Sequence, residues 1–143
     1  MIFSTTHTNK EGKELTNDLL GVPFSLYQSL KMGGIGSKRM IIEETSQNIV
    51  DYTNKISDVN YANIELRPEG IIVLLNKGLN NYNWVIPFRQ LVIYKTDRLS
   101  IHAQGKYICF KNNMLYKENK KFIAKMIDLK TTHQEKYSSP AYE

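Results

Sequence analysis

Few side chains in this sequence are of the types that carry out covalent or metal chemistry. The chain of 143 residues has one cysteine, Cys109, and three histidines, His7, His102 and His133, far apart in the sequence. Zinc sites need several such ligands at compatible spacing, so we expect no metal and no cofactor. A nucleophilic pair of Cys109 and His102 is an alternative, because a hairpin about Gly105 would bring their strands together.

A glycine-rich segment at residues 33–39 reads Gly-Gly-Ile-Gly-Ser-Lys-Arg and raises the question of phosphate binding. A phosphate-binding loop has the pattern G-x-x-x-x-G-K-[ST] and lies between a strand and a helix. Here Ser37 precedes Lys38, and the segment is predicted to follow a helix and precede a strand. The dinucleotide fingerprint fails because Arg39 stands in the place of its third glycine. We interpret the segment as a flexible connector, with anion binding as the alternative.

The neighbouring carboxylates Glu43 and Glu44 do not form an acid–base pair by sequence. They are adjacent in a predicted strand, so their side chains point to opposite faces and are interpreted as solvated. Because no catalytic constellation is visible, we expect that the protein is not an enzyme and has no catalytic residues.

The net charge of +5 is distributed unevenly along the chain. Residues 1–70 contain seven Lys and Arg against nine Asp and Glu, a balance of −2; residues 71–143 contain twelve against five, a balance of +7. A basic half favours an anionic partner such as a lipid headgroup, a nucleic acid or an acidic protein. The alternative is that these lysines only keep exposed strands and a helix face soluble. The candidate anion-binding residues are Lys77, Arg89, Lys95 and Arg98.

Several aromatic residues lie near this basic region and are of the type that stacks on nucleic-acid bases. Their positions in alternating strands favour packing in or against a sheet instead, and no recognised RNA-binding motif is present. These residues are Tyr82, Trp84, Tyr94 and Tyr107.

The sequence predicts no integral membrane segment. A transmembrane helix needs about 20 apolar residues, and the longest apolar run is residues 71–75. The start of the chain lacks the apolar core of a signal peptide. We therefore expect a cytoplasmic protein in which Cys109 stays reduced.

The first 38 residues are predicted to form an arm and a kinked helical segment. Residues 1–10 are polar and look like a loose arm. Residues 11–32 carry apolar side chains at helical spacing, interrupted at Gly21-Val22-Pro23, where proline disfavours a continuous helix. The apolar face of the two short helices needs a surface to cover, on the sheet or on a partner. Its interface candidates are Phe24, Tyr27 and Leu30.

Residues 39–111 show the pattern of an antiparallel meander. Apolar segments alternate with Gly, Pro and Asn turns at short, even spacing. Residues 45–60 stay open between a strand near residues 49–53 and irregular structure. About seven strands are predicted, at residues 39–44, 61–66, 71–75, 82–88, 91–94, 99–103 and 107–110.

The last element has a helical period. Leu115, Phe122, Met126 and Leu129 share one stripe, while most lysines lie away from it, and Asn119 is a candidate N-cap. The helix is predicted to end near residue 134.

The chain thus divides into an N-terminal segment, a β domain with its closing helix, and a tail, at residues 1–38, 39–136 and 137–143.

This order of strands and closing helix resembles the pleckstrin-homology-like (PH-like) fold as it occurs in bacterial PH-like domains. The resemblance covers roughly residues 39–135. It is carried by residues 64–71 (IELRPEGI), residues 84–91 (WVIPFRQL) and residues 99–110. It implies a mainly β protein with helices (α+β), in which a bent antiparallel seven-stranded sandwich or barrel is closed by a C-terminal amphipathic helix.

The resemblance, together with the lack of a catalytic pattern, predicts a non-catalytic interaction module that binds a protein or peptide partner. A homodimer through the N-terminal helices is one form of that prediction. The alternative is a binder of an anionic ligand, a lipid headgroup or a nucleic acid, through the basic C-terminal half.

Overall fold

Eight antiparallel strands form one unclosed sheet in the computed structural model, which describes residues 1–5, 10–53 and 59–137. The sheet order is β1-β5-β4-β3-β2-β8-β7-β6. The strands are β1 (Ile2–Ser4), β2 (Met40–Thr45), β3 (Tyr61–Arg67), β4 (Gly70–Lys77), β5 (Asn80–Pro87), β6 (Val92–Lys95), β7 (Leu99–Ala103) and β8 (Lys106–Phe110). The helices are α1 (Lys10–Leu20), α2 (Leu26–Lys31), α3 (Met114–Glu118) and α4 (Lys120–Tyr137). The predicted α+β class is confirmed.

Strand β2 joins two parts of the sheet. Its residues Met40 and Ile41 pair with β3, whereas Ile42, Glu44 and Thr45 pair with β8. The register shifts between Ile42 and Glu44, which is the mark of a β-bulge. Bulges bend a strand and increase its twist. The two parts of the sheet can therefore face one buried core.

The main core lies between the sheet and α4. Strand β5 contributes Trp84 and Ile86, which are fully buried, and α4 contributes Phe122, Ile123 and Met126. The apolar stripe predicted for the last helix thus packs on the sheet, and its lysines lie mostly outside the core.

The first part of strand β4, Gly70 to Val73, is buried on both faces. Ile71 belongs to the main core, whereas Ile72 packs with Leu20 of α1 and Val85 of β5 in a second, smaller cluster. A strand covered on both sides needs no polar face. This explains why Ile71, Ile72 and Val73 are all apolar instead of alternating, whereas Leu74 farther along the run is 37% exposed.

The prediction of a loose arm at the start of the chain is wrong for Ile2–Ser4, which form β1. This strand is the eighth, in addition to the seven predicted. Ile2 lies opposite Trp84, Ser4 lies opposite Tyr82, and Phe3 packs against the smaller cluster. Three residues are too few to show an alternating pattern, so only the pairing with β5 reveals the strand. His7 lies outside the described residues.

The predicted interruption of the N-terminal helices is present. Helix α1 ends at Leu20, and Gly21 follows with a φ of +79°. Ser25 begins α2 with a capping box, in which its hydroxyl accepts from the Gln28 N–H and the Gln28 side chain accepts from the Ser25 N–H. The chain is thus fixed on both sides of the kink.

Residues 45–60, for which the sequence left the structure open, contain a 3₁₀ helix at Gln47–Tyr52 that buries Ile49. Residues 54–58 lie outside the described residues.

The predicted last helix is two helices, α3 and α4. Asn119 lies between them and is 2% exposed. The side chain that caps a helix N-terminus here is that of Asn113, which accepts from the Tyr116 N–H at the start of α3. The Asn119 side chain instead accepts from the Lys38 N–H (2.9 Å) and donates to the Lys38 carbonyl (3.2 Å). The predicted tail from residue 138 is likewise outside the described residues.

The turn between β3 and β4 is packed between two helices. The Glu69 N–H donates to the Leu20 carbonyl at the end of α1 (2.9 Å), and the Glu69 carboxylate lies 2.6 Å from His133 on α4. Next to it, Gly70 has no room for a side chain. A Cβ there would lie less than 3.0 Å from the Ile86 carbonyl oxygen and from Leu20 Cδ2. This glycine lets α1 contact the sheet directly.

Gly70→Ala is expected to lower the free energy of unfolding by about 1–3 kcal/mol or more, because the added methyl group overlaps backbone and side-chain atoms. Urea unfolding followed by circular dichroism measures the change. Gly36→Ala is the matched control, since nothing lies within 4 Å of a Cβ at that position. Equal stability of the two variants would contradict this account of the turn.

Phe122→Asp is expected to abolish cooperative thermal unfolding, because a buried carboxylate in the main core has no partner to offset its desolvation. Lys121→Asp, one residue away on the exposed side of α4, is expected to change the stability by no more than about 0.5 kcal/mol. Thermal melts of the two proteins compare them directly.

Candidate interaction surfaces

Helix α2, together with Val22 in the kink before it, exposes large apolar side chains. We define the α2 surface as Val22, Leu26, Tyr27 and Leu30, which are 68%, 78%, 74% and 72% exposed. No residue of α2 is buried. Single exposed apolar residues are common on proteins, whereas a contiguous group of them marks an interaction site.

The three predicted interface residues are neighbours in this region. Tyr27 and Leu30 belong to the α2 surface, while Phe24 is half-buried and packs against the main core. Phe24 and Met32 form the floor of an open depression of about 660 Å³, with Tyr27 and Lys31 beside them. Phe24 therefore anchors the segment to the sheet, and the exposed contacts come from α2.

The stretch of sequence that contains α2 is basic. Residues 19–42 contain no Asp or Glu but include Lys31, Lys38 and Arg39. The Lys125 ammonium of α4 donates to the Gly34 carbonyl just beyond α2 (2.9 Å). The Lys38 ammonium lies 3.9 Å from the Glu118 carboxylate, a long contact between two exposed side chains. The α2 surface thus combines apolar side chains with positive charge at its C-terminal end.

The glycine-rich connector is held by backbone hydrogen bonds, in contrast to the flexible segment predicted. Its residue Ser37 donates from its N–H to the Ile64 carbonyl (2.8 Å), and Leu66 of β3 donates to the Ile35 carbonyl (2.7 Å). The N–H groups of Gly33 and Gly34 donate to carbonyls of α2. These amides are already used within the chain, which weighs against the phosphate-binding alternative.

The four candidate anion-binding residues do not meet at one end of the sheet. Lys77 lies opposite Asn80 at one end of the β4–β5 hairpin, and Arg89 follows Pro87, which lies opposite Gly70 at the other end. Seven residues of extended strand separate these ends by roughly 23 Å. One small anion cannot contact both side chains.

The other two candidates lie on the β6–β7 hairpin. Lys95 ends β6, opposite Leu99, and is exposed. Arg98 donates to Glu43 (2.8 Å) and lies 3.8 Å from Glu44. The hydrogen bond with Glu43 is the main cause that raises the pKa of Arg98. The charge of Arg98 is thus largely balanced within the chain.

The Glu43 and Glu44 side chains are 42% and 54% exposed, in line with the solvated carboxylates predicted, but they do not point to opposite faces. Both approach Arg98, and Glu44 also accepts from the Tyr107 hydroxyl (3.0 Å). The bulge in β2 breaks the strict alternation of the strand and so allows this arrangement.

His102 lies in a cluster of aromatic side chains on the outer side of β6, β7 and β8. Its Nε2 is 2.6 Å from Ser100 Oγ. Its ring stacks on Tyr107, with centroids 5.3 Å apart, and meets Tyr94 edge to face at 4.9 Å. Sequence reasoning did not find the Ser100 contact, although the i, i+2 spacing in a strand of period two places both side chains on one face.

Cys109 and His102 line the same shallow depression of about 400 Å³, because the predicted hairpin about Gly105 forms. His102, however, bonds Ser100. Cys109 is 5% exposed, and burial is the main cause that raises the pKa of its thiol. A nucleophilic cysteine needs a lowered pKa, so the local chemistry opposes the cysteine–histidine alternative.

The aromatic residues considered for base stacking lie on different sides of the sheet. Trp84 is fully buried in the main core, and Tyr82 is half-buried with its ring 5.0 Å from that of Tyr52. Tyr94 and Tyr107 flank His102 on the outer side. The four do not provide one continuous stacking surface.

Within residues 1–5, 10–53 and 59–137, no three His, Cys, Asp or Glu side chains come together as metal ligands. None of the helices in that part of the chain combines the length and the apolar character that a bilayer crossing requires. Comparisons of the chain with models of protein families, with curated proteins and with solved structures find no match. The surfaces described above must therefore be interpreted from their own geometry.

Cys109 is expected to react with Ellman's reagent many times more slowly in the native protein than in guanidinium chloride. Its burial and its raised pKa both lower the concentration of accessible thiolate near pH 7.5. Because the chain has a single cysteine, the absorbance change reports this residue alone. Equal rates in the two conditions would point instead to an activated thiol.

Proposed function

We propose that this chain is a non-catalytic interaction module of the PH-like type that binds an acidic, partly apolar segment of a protein partner at the α2 surface. The observation that carries the proposal is that Leu26, Tyr27 and Leu30 on the short, capped helix α2, and Val22 just before it, are each more than two-thirds exposed.

The PH-like part of the proposal is supported by the order of the elements. Strands β2 to β8 follow one another as an antiparallel array with the order β5-β4-β3-β2-β8-β7-β6, and a helix follows β8. Helix α4 buries its apolar stripe against the core of this array. This succession of strands and a helix that packs on them supports the resemblance, although the sheet is unclosed and has eight strands.

We favour a protein partner because the exposed apolar side chains of the α2 surface lower the solubility of the protein and do not stabilise its fold. Its four side chains leave most of their area in water, although Phe24 beside them is packed against the core. Burying one such side chain against a partner contributes about 1.5–3 kcal/mol. Two or three of them supply the apolar centre of a small interface.

The charge pattern selects the kind of partner. Lys31 is the last residue of α2, Lys125 donates to the Gly34 carbonyl just beyond it, and residues 19–42 carry no carboxylate. An acidic segment would find complementary charge there. A second copy of the chain fits less well, because each copy has a net charge of +5 and a twofold contact would bring two basic regions together.

The anionic-ligand alternative, through the basic C-terminal half, receives less support from the geometry. Lys77 and Arg89 lie at opposite ends of a hairpin, and Arg98 is paired with carboxylates. Retention on anionic liposomes or on nucleic acid at low salt would favour that alternative.

Selection from a random peptide display library tests the proposal. We expect retained peptides to be enriched in Asp, Glu and large apolar residues and to lose at least tenfold in affinity for a Leu26→Glu/Leu30→Glu variant. The reason is that the variant replaces apolar contact with like charge. Fluorescence anisotropy with labelled peptides measures the affinities.

Leu79→Glu is the matched control, because Leu79 is 94% exposed and lies in the β4–β5 turn, outside the α2 surface. It should bind the selected peptides as the unmodified chain does. The Leu26→Glu/Leu30→Glu variant should unfold within about 0.5 kcal/mol of the unmodified protein for each exposed site changed. Peptides that bind both variants equally would refute the assignment of the surface. A dimer that only the α2 variant dissolves would identify a second copy as the occupant.

A further inference from the structure

A cavity of about 520 Å³ lies between α1 and the outer side of β1, β4 and β5, away from the α2 surface. Its wall has an apolar part, with Phe3 and Ile72, and a cationic part, with Lys10, Lys13 and Arg67. Pockets for small ligands have volumes of about 300–1,000 Å³ and combine mostly apolar walls with a few polar groups. The cavity matches this description in size and in chemistry.

The cavity exists because α1 contacts the sheet unevenly. The buried side of the helix presents Gly12, Thr16 and Leu20, one turn apart. Only Leu20, at the C-terminal end, is large enough to fill the space above the sheet. The small residues Gly12 and Thr16 leave space at the other end, and both line the cavity.

Arg67 is the unusual group in the wall. It is 5% exposed, and its Nη2 donates to Asn17 Oδ1 (2.5 Å) and to the Gly21 carbonyl (2.8 Å). Its Nη1 lies 3.4 Å from Glu65. Its buried Nε has no hydrogen-bond partner in the described residues. A buried donor without a partner costs about 1–3 kcal/mol, and more when it belongs to a charged group.

The described wall of the cavity carries no carboxylate. Glu65 approaches Arg67 but does not line the cavity, whereas Lys10 and Lys13 do. Three cationic side chains that line one open cavity attract an anion by their charge. Hydroxyl groups of the wall, such as that of Thr5, add further hydrogen-bonding capacity.

We propose that this cavity binds a small amphiphilic anion. Its carboxylate or phosphate group lies among Lys10, Lys13 and Arg67, and its apolar part contacts Phe3 and Ile72. The site shares no residue with the α2 surface, so it does not depend on the proposed partner binding.

Binding is tested by calorimetry and by NMR with four probes: octanoate, octyl phosphate, octanol and inorganic phosphate. We expect saturable binding of octanoate or octyl phosphate, and at least tenfold weaker binding of octanol and inorganic phosphate, because each lacks one half of the recognised chemistry. Which of the two amphiphiles binds more tightly identifies the head group. The Arg67 Nε–H resonance should shift on saturation.

A Lys10→Glu/Lys13→Glu variant should bind the better amphiphile at least tenfold more weakly, since both lysines are exposed and their replacement leaves the fold intact. Lys120→Glu/Lys121→Glu on α4 is the matched control for net charge and should bind normally. Arg67 is left unchanged because it also holds α1 to the sheet. Equal weakening in both variants, equal affinity for octanol, saturation without a shift at Arg67, or no binding of either amphiphile would each overturn the proposal.

Discussion

The absence of a side chain at Gly70 is the constraint on which the N-terminal half of the structure depends. The turn between β3 and β4 receives the end of α1 on one side, through the hydrogen bond from Glu69 to Leu20, and His133 of α4 on the other. Contact this close is possible only where no Cβ intervenes. The position of α1 then fixes Gly21 and the kink, and the kink fixes where α2 presents its exposed side chains. A packing detail in one turn thus places both of the surfaces to which function is assigned.

The two surfaces follow from opposite kinds of incomplete packing. At the α2 surface, large apolar residues are present but have nothing to contact within the chain. At the cavity beneath α1, the sheet has an apolar side but the helix supplies small residues over part of it. The first arrangement suits a macromolecule that brings its own surface, and the second suits a molecule small enough to be enclosed. The two proposed sites share no residue, so each can be tested without changing the other.

Much of the β region was predictable because the alternation of apolar and polar residues depends only on which face of the strand each side chain occupies. The alternation at Leu99, Ile101 and Ala103 and the turn at Gly105 follow from the pleat of a half-buried hairpin. The helical stripe that includes Phe122 and Met126 is equally local. The approximate positions of these elements therefore follow from sequence periodicity and turn residues.

The sites were less predictable because they depend on contacts between distant residues. Nothing near Arg67 in the sequence indicates that it is buried, since Asn17 and Gly21 lie about 50 residues earlier. Strand β1 has too few residues to show a period, and the contact of Asn119 with Lys38 joins residues 81 apart. The bulge that turns Glu43 and Glu44 toward Arg98 is likewise invisible without the register of β2 and β8. Tertiary pairing, and not local preference, decides each of these features.

The two ends of the sheet have a consequence for self-assembly. The outermost strands are β1, with three residues, and β6, with four, and β6 ends in a lysine. An open edge invites a neighbouring molecule to extend the ladder of backbone hydrogen bonds, and long, uncharged edges do so most readily. Here the edge strands β1 and β6 offer a neighbouring molecule only three or four residues for backbone pairing. Fibril growth by edge-to-edge stacking is accordingly discouraged, even though the sheet never closes into a barrel.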